Sequence, residues 1–516
     1  MNAAQELWRE AEGRGTRTPL TASTTTDVCV IGGGISGVTT AYELARHGAR
    51  VVLIEADDVG GGETARTSAH LSNALDDRFH VLERLHGGEG ARLAAASHGA
   101  AIDFIEAASR QFAIPCDFAR VDGFLFAHEA AAIAELDQEL PAAQRAGLAV
   151  EALPNSPATW FTTGPCLRFP HQAQFHPLRY LFGLARQAEV FGVQIYPGTR
   201  AASVTGGRST EVVTSDGHRI TASSVVVATN VPMNDRLRVH TYLEAYRSYV
   251  VAFALPSGIA APALFWDTAE PYHYVRVVAG EGEDLLLVGG EDHKTGQGPA
   301  DAEEPYRKLE QWIRQRAPQC GEVRRHWSGQ IIEPVDGMAL IGRNPLDADN
   351  VFIIAGDSGN GLTHGTLGGL LISDLIRGKK NPWEELYRPS RFRVGSTGEY
   401  TRHNVNVAGQ YADWLRSADV SSLDEVQAGS SALVRNGLSK WAVHRDEDGR
   451  LHICSAICPH LGGLVRWNAG EKTWDCPCHG SRFAIDGSVL NGPANAPLTP
   501  ISLVGAGGVG ARIAFT

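Results

Sequence analysis

The chain has 516 residues, enough for several hydrophobic cores, and carries a formal net charge of -12 with 20% charged residues. That acidic balance, without a cluster of lysine and arginine, argues against nucleic acid as a partner. Eight cysteines are too few and too scattered for a disulfide framework; no signal peptide and no apolar stretch long enough to cross a bilayer is legible, so a cytoplasmic protein without a transmembrane segment is expected.

After a polar leader, DVCVIGGGISGVTTAYELARHGARVVLIEA (27–56) predicts an apolar strand, a Gly-rich turn, an amphipathic helix and a second apolar strand ending at Glu55. Gly32, Gly34 and Gly37 fit G-x-G-x-x-G directly between strand and helix, and Glu55 stands at the distance expected for a ribose-binding acid. Glycines there let the backbone approach a pyrophosphate, whose charge the helix N-terminus favours. The same spacing recurs in GAGGVG (505–510), but too near the C-terminus for a helix and strand to follow, so it reads as a hairpin. Further strands are expected in 192–207 and 220–235. The segment NVFIIAGDSGNGLTHGTLGGLLISDLIRG (350–378) predicts another strand, Gly-rich turn and helix. Between these, YRSYVVAFAL (246–255) and YHYVRVVAG (272–280) alternate as an antiparallel sheet would.

The expected organisation is an α/β FAD-binding Rossmann-type domain from residues 25–105, 171–235 and 321–388, with an antiparallel β-sheet substrate domain from 106–170 and 236–320. A linker at 389–417, with a possible helix in NVNVAGQYADWL, leads to a small all-β domain at 418–516.

In that tail, Cys458-x-His460 and Cys476-x-x-His479 supply one Cys and one His from each of two loops. Zinc fingers usually pair like with like in local units. The mixed spacing suits a Rieske [2Fe-2S] cluster, with two Cys on one iron and two His on the other, better than zinc. An oxygenase iron on His171 and His176 is rejected, because Arg168 stands where a preceding acid is wanted.

Residues 25 to 380 resemble the D-amino-acid-oxidase-like FAD family that includes glycine and sarcosine oxidases. The resemblance runs through DVCVIGGGISG, GGETARTSAHL and GQIIEPVDGMALIGR to VFIIAGDSGNGLTHG. It implies that Thr64, Arg66 and His70 lie beside FAD, although Ala69 and His70 replace glycines frequent in the family. It also implies that Gly356, Gly361, Leu362 and Thr363 face the flavin, where a helix starting near Gly361 aims its amides at developing negative charge. The family moves a hydride from a carbon–nitrogen bond to flavin. Tyr272, His273, Tyr274, Arg276 and His364 are candidate pocket residues, Arg276 as a carboxylate clamp, with His293 a weaker one.

The tail, about 418 to 516, resembles Rieske domains through CPHLGG and CPCHGSRF, and NGPA (491–494) resembles their third loop. Gly463 stands where one bridging cysteine of high-potential members would be, so Cys478 has no such partner; Cys454 is also expected to be free. Ser481 remains as a donor to cluster sulfur, and Phe483 replaces a tyrosine donor. Fewer donors stabilise the reduced cluster less, so the potential is expected low in the Rieske range of about -150 to +300 mV.

The favoured expectation is a dehydrogenase of an amine or amino acid that passes electrons from FAD to the cluster and on to an external one-electron carrier such as a ferredoxin. Two alternatives are current in the opposite direction, from a ferredoxin-like donor, and a tail that serves only redox sensing or docking.

Overall fold

The computed structural model describes residues 7–8, 15–234, 239–391, 393–414, 418–437, 439–503 and 513–514. The chain forms two compact units: residues up to 234 with 246–293 and 303–398, and residues 235–245 with 294–302 and 399–516.

The first unit is built on two sheets. Val28, Cys29, Val30 and Ile31 are all buried, as an apolar run covered on both faces should be. Their strand, Thr24–Ile31, pairs in parallel with Val51–Ile54 on one side and Arg219–Asn230 on the other. Gln194–Tyr196 and Val351–Ala355 extend this sheet in parallel, and Leu340–Arg343 closes it antiparallel. The helix Ile35–Arg46 packs on the helix Gly361–Ile376 where Gly365 and Gly369 meet Ser36, Thr39 and Thr40 with no side chain between.

The second sheet runs Val323–Pro334, Leu243–Pro256, Glu283–Lys294, His273–Val278, Leu264–Asp267, Ala119–Phe126, Cys166–Gln174, His70–Leu71. It is mixed, since Leu264–Asp267 and Ala119–Phe126 run parallel. Two expected boundaries change. Cys166–Gln174 straddles the boundary drawn at 170/171, and Val323–Pro334, expected in the FAD domain, is an edge strand of this sheet. Period-two alternation tells which face of a strand is buried but not which sheet it joins.

In the second unit, Ser431–Asn436, Ser439–Arg445 and Leu451–Ser455 make one antiparallel sheet, and Arg466–Asn468, Thr473–Asp475, Arg482–Phe483 and Val489–Asn491 another. The expected linker is not a bare connection: Thr397–Gln410 is a helix, and Val407, Tyr411 and Trp414 pack on the core around Cys458, Trp474 and Cys476. Residues 505–510, read as a hairpin, lie outside the described residues. Among those described, no helix is long and apolar enough to cross a membrane.

Candidate functional site

The strand Thr24–Ile31 turns at Gly32, whose φ is +113° and whose added Cβ would stand 2.5 Å from the Ala228 carbonyl oxygen. A Cβ on Gly37 would run into the Gly32 carbonyl, so this glycine sets the close approach of helix to strand. Gly33 donates its N–H to Glu55 Oε2 at 2.6 Å and Asp57 donates to Glu55 Oε1 at 2.9 Å. Gly34, the N-cap, supplies no side chain, and Ile35 donates to Thr64 Oγ1 at 3.2 Å. The turn is thus a glycine backbone at a helix N-terminus, with the Gly33 and Ile35 amides held by Glu55 and Thr64, a form that fits the pyrophosphate of a dinucleotide. Gly37→Ala is expected to weaken flavin retention about tenfold or more, because overpacking of about 1–3 kcal/mol acts on the cradle itself; the flavin-to-protein absorbance ratio of purified protein checks this.

Beyond Thr64 the chain is tightly held. Arg66 pairs with Glu63 at 3.0 Å, its carbonyl accepts from Trp327 Nε1 at 2.9 Å, and the Thr67 carbonyl accepts from Trp8 Nε1 at 2.9 Å. His70 places Nδ1 3.0 Å from Ser68 Oγ and its ring edge-on to Tyr274 at 5.4 Å. Burial, and then Arg276, push its pKa down to about 3, so it is a neutral imidazole.

On the other side of the cradle, the loop from Gly356 (φ +72°) to Asn360 leads into Gly361–Ile376, and Asn360 makes no side-chain cap. Leu362 and Thr363 are buried, with Thr363 Oγ1 donating to the Asn360 carbonyl at 3.1 Å and lying 2.7 Å from His98 Nδ1. His364, a candidate pocket residue, is buried. It is 2% exposed, donates Nδ1–H to the Asp357 carbonyl at 2.8 Å and packs against His98 at 4.3 Å. Helical phase turns it against His98, and its Nε2 is buried without a hydrogen-bond partner.

Tyr272, Tyr274 and Arg276 share one face of their strand, and His273 takes the opposite one, stacked on Trp312 at 4.5 Å with Nδ1 2.9 Å from Asp267 Oδ2. His293 sits at 2.8 Å from the Tyr249 hydroxyl. Arg276, the candidate carboxylate clamp, is buried. Its Nη1 donates to the Ala69 and Ser68 carbonyls at 2.6 and 3.1 Å and its guanidinium lies over Trp8, while its Nε is buried without a hydrogen-bond partner. Burial lowers its pKa to about 9.

Three polar residues missing from the sequence reading complete the row. Tyr272 Oη donates to Asp76 Oδ2 at 3.2 Å, and the Tyr274 hydroxyl is 3.2 Å from Ser248 Oγ. A Cβ on Gly359 would collide with the Asp76 carboxylate and stand 3.5 Å from Tyr272 Oη, which places Asp76 and Tyr272 at the Gly356–Asn360 loop. Asp292 is the third; its Oδ1 is buried without a hydrogen-bond partner. Burial raises Asp76 to about 6, against the pull of Arg78, and raises Asp292 to about 7, with Asp76 adding to the effect. No local signal marks these three residues, because they come from three distant segments.

In the second unit each ligand loop is closed by its own backbone. Cys458 N–H donates to the Gly463 carbonyl at 2.8 Å and Gly462 back to Cys458 at 3.0 Å; Cys476 donates to Ser481 at 2.8 Å and Gly480 to Cys476 at 3.0 Å. This brings the Cys458 and Cys476 sulfurs into hydrogen-bonding contact, which with burial pushes the Cys458 thiol up. The His460 and His479 rings meet edge to face at 5.0 Å. Among the described residues no three such side chains converge on a single ion position; a Rieske centre asks for two per iron. Two neighbouring thiols and two neighbouring imidazoles on paired loops fit that donor set.

Ser481 is fully buried, accepts from Ala494 N–H of the third loop at 3.0 Å, and hydrogen-bonds the Cys458 sulfur. A Cβ on Gly463 would stand 2.6 Å from Cys478 Sγ, so a bridging cysteine has no substitute here, and all eight cysteines are free. Cys454 instead donates to the Asp486 carbonyl at 3.3 Å. Tyr411 and Trp414, from the expected linker, donate to the Leu461 and Gly462 carbonyls at 2.8 and 3.2 Å and so hold the first ligand loop.

These features agree with the comparisons. Residues 27–375 match the family described as DAO, FAD dependent oxidoreductase, and residues 414–502 match the Rieske [2Fe-2S] domain. The chain belongs to the DAO family of FAD-dependent oxidoreductases and carries a C-terminal Rieske domain, which implies FAD and a [2Fe-2S] cluster. It is 33% identical over 504 residues to the Rieske 2Fe-2S iron-sulfur protein YhfW of Bacillus subtilis (strain 168), covering 97% of this chain and 98% of that one. It is 27% identical over 376 residues to gamma-glutamylputrescine oxidoreductase of Escherichia coli (strain K12), covering 70% and 85%. Glycine oxidase from Geobacillus kaustophilus shares the fold of the first unit, with a TM-score of 0.59, 19% identity, and 71% of this chain and 99% of that one covered.

Proposed function

We propose that this chain is an amine dehydrogenase that oxidises the carbon–nitrogen bond of a cationic amine and delivers the electrons through its own Rieske centre to an external one-electron carrier. The observation that carries the substrate class is the acid-lined row at the Gly356–Asn360 loop. Asp76, Asp292, Tyr272 and Tyr274 offer carboxylates and hydroxyls, and Nη1 of the nearby Arg276 is held by the Ser68 and Ala69 carbonyls. An ammonium gains from this lining, whereas a carboxylate beside the reacting carbon finds like charge. The relative named for gamma-glutamylputrescine accords with an amine.

Gly32, Gly34, Gly37 and Glu55 hold the dinucleotide, and Thr64, His70 and the Gly361–Thr363 amides border the flavin. Arg66 acts by fixing the Thr64–His70 segment. FAD, when bound, accepts a hydride and can return electrons singly. Neutral His70 and the two tyrosines orient the amine and exclude water. Cys458, His460, Cys476 and His479 bind the cluster, and the Ser481 hydroxyl donates to cysteine sulfur. Ser481→Ala is expected to move the cluster midpoint negative, since a donor to sulfur stabilises the reduced, more negative cluster; a spectroscopic redox titration checks the sign.

The test is anaerobic mixing with pools of primary and secondary amines and, separately, of amino acids, with flavin absorbance and the EPR of reduced cluster followed together. Bleaching by amines, followed by the cluster signal, supports the proposal. Bleaching by amino acids alone overturns the substrate class, and no bleaching by either pool overturns the direction of electron flow.

A further inference from the structure

The loop that carries Cys476, Cys478 and His479 is held by residues from outside the tail. Residues 294–302 continue the strand Glu283–Lys294 but belong to the second unit. Gly296 has φ +72°, and a Cβ on it would stand 3.0 Å from Pro477 N and 3.2 Å from the Asp475 carbonyl oxygen, so its backbone lies directly against the backbone that carries Cys476. The Gly296 carbonyl accepts from Arg466 Nη1 at 3.0 Å, which ties the same segment to the strand after the first ligand loop.

Gln297 follows, and it faces Asn406 of the Thr397–Gln410 helix. Its Nε2 donates to Asn406 Oδ1 at 3.0 Å, and its Oε1 accepts from Asn406 Nδ2 at 3.3 Å. This reciprocal pair fixes which end of the Gln297 amide carries the N–H groups, and Nε2 also donates to the Pro477 carbonyl at 3.2 Å. The peptide that accepts there joins Pro477 to Cys478, and its own N–H hydrogen-bonds the Cys476 sulfur. One peptide group thus stands between a side-chain amide and a sulfur of the cluster motif. A carbonyl that accepts a hydrogen bond polarises its peptide, and the N–H on the other side becomes a stronger donor.

We infer that Gln297, held by Asn406, is a positioning residue of the Rieske centre that orients the Pro477–Cys478 peptide and strengthens its N–H as a donor to the Cys476 sulfur. The inference rests on the reading of Cys458, His460, Cys476 and His479 as cluster ligands. Neither Gln297 nor Asn406 lies in the 414–502 stretch that matches the Rieske domain. The chain thus tunes a cluster whose ligands are all in the tail with a side chain from the catalytic half of its sequence. A donor to ligand sulfur stabilises the reduced, more negative cluster, so the Gln297 amide acts to raise the potential. It works on the second ligand loop as the Ser481 hydroxyl works on the Cys458 sulfur.

The experiment is a redox titration of the full-length protein at one fixed pH, with cluster EPR as readout, for wild type, Gln297→Met and Asn406→Ala. Gln297→Met keeps the length of the side chain but has no N–H, and it is expected to shift the midpoint negative at unchanged cluster content. Asn406→Ala, which leaves the Gln297 amide without its anchor, is expected to shift it in the same direction by less. A wild-type or more positive midpoint in cluster-bearing Gln297→Met overturns the inference. Where Gln297→Met loses its cluster, the sign of the shift in Asn406→Ala decides, and loss of the cluster from both variants overturns the inference too, because the pair then only holds the loop in place. A wild-type protein without any [2Fe-2S] signal would instead refute the ligand assignment, so the two failures are distinct.

Discussion

Cys476→Ser is expected to abolish the [2Fe-2S] EPR signal while the flavin remains bound and bleaches with amine at the wild-type rate. Cys476 is 2% exposed, its N–H closes the second ligand loop on Ser481, and its sulfur meets that of Cys458. A serine keeps the backbone bonds and the volume but offers a hard hydroxyl where a thiolate is needed. Reduction of a one-electron acceptor by amine should fall by more than about 100-fold, because even outer-shell changes at metal sites cost 10–100-fold. Unchanged acceptor reduction in a cluster-free variant would mean that the tail is a sensing or docking module. Lost flavin bleaching in a variant that retains FAD would mean that electrons enter through the cluster.

The second large effect is expected at Asp292. A charge-assisted hydrogen bond to a cation contributes about 1.5–3 kcal/mol, so Asp292→Asn should lower kcat/KM for the amine by about 10- to 100-fold, mainly through KM. The wild-type carboxyl titrates near 7, against an ordinary aspartate value of 3.8, with burial as the main cause. Amine affinity should therefore rise with pH through about 7 as the carboxylate forms, and Asp292→Asn should flatten that limb. Stability carries the opposite sign. Between the ordinary value and about 7 the folded protein holds a proton that the unfolded chain has released, so this group's contribution to stability falls as pH rises across that window. Asp292→Asn should raise Tm above pH 7 and leave it unchanged near pH 4. An equal change in Tm at both pH values would contradict a buried, raised carboxyl.

How much of the site was legible depends on where its parts lie in the chain. The cradle at Gly32, Gly34 and Gly37 with Glu55, and the loops at Cys458–His460 and Cys476–His479, are contiguous motifs whose backbone geometry is local. Spacing alone specified their chemistry, and Gly463 and Phe483 could be read against them position by position. Arg276 and His364 were legible as residue types but not as orientations. A strand presents every second side chain to one face, and nothing local says that the third along the row ends on the Ser68 and Ala69 carbonyls. The helix Gly361–Ile376 that carries Leu362 and Thr363 turns the next residue, His364, against His98.

The sequence by itself determined the two cofactor classes, the family and the absence of a bridging disulfide, because each follows from residues a few positions apart on a turn or loop whose conformation glycines and hydrogen bonds fix locally. Only the tertiary structure decided what surrounds them. Asp76, Asp292 and Ser248 meet Tyr272 and Tyr274 from separate strands and loops, and Glu244 joins His403 across more than half of the second unit's sequence span. Charge in a pocket and buried ion pairs are properties of convergence, and convergence is set by how sheets pair and helices pack.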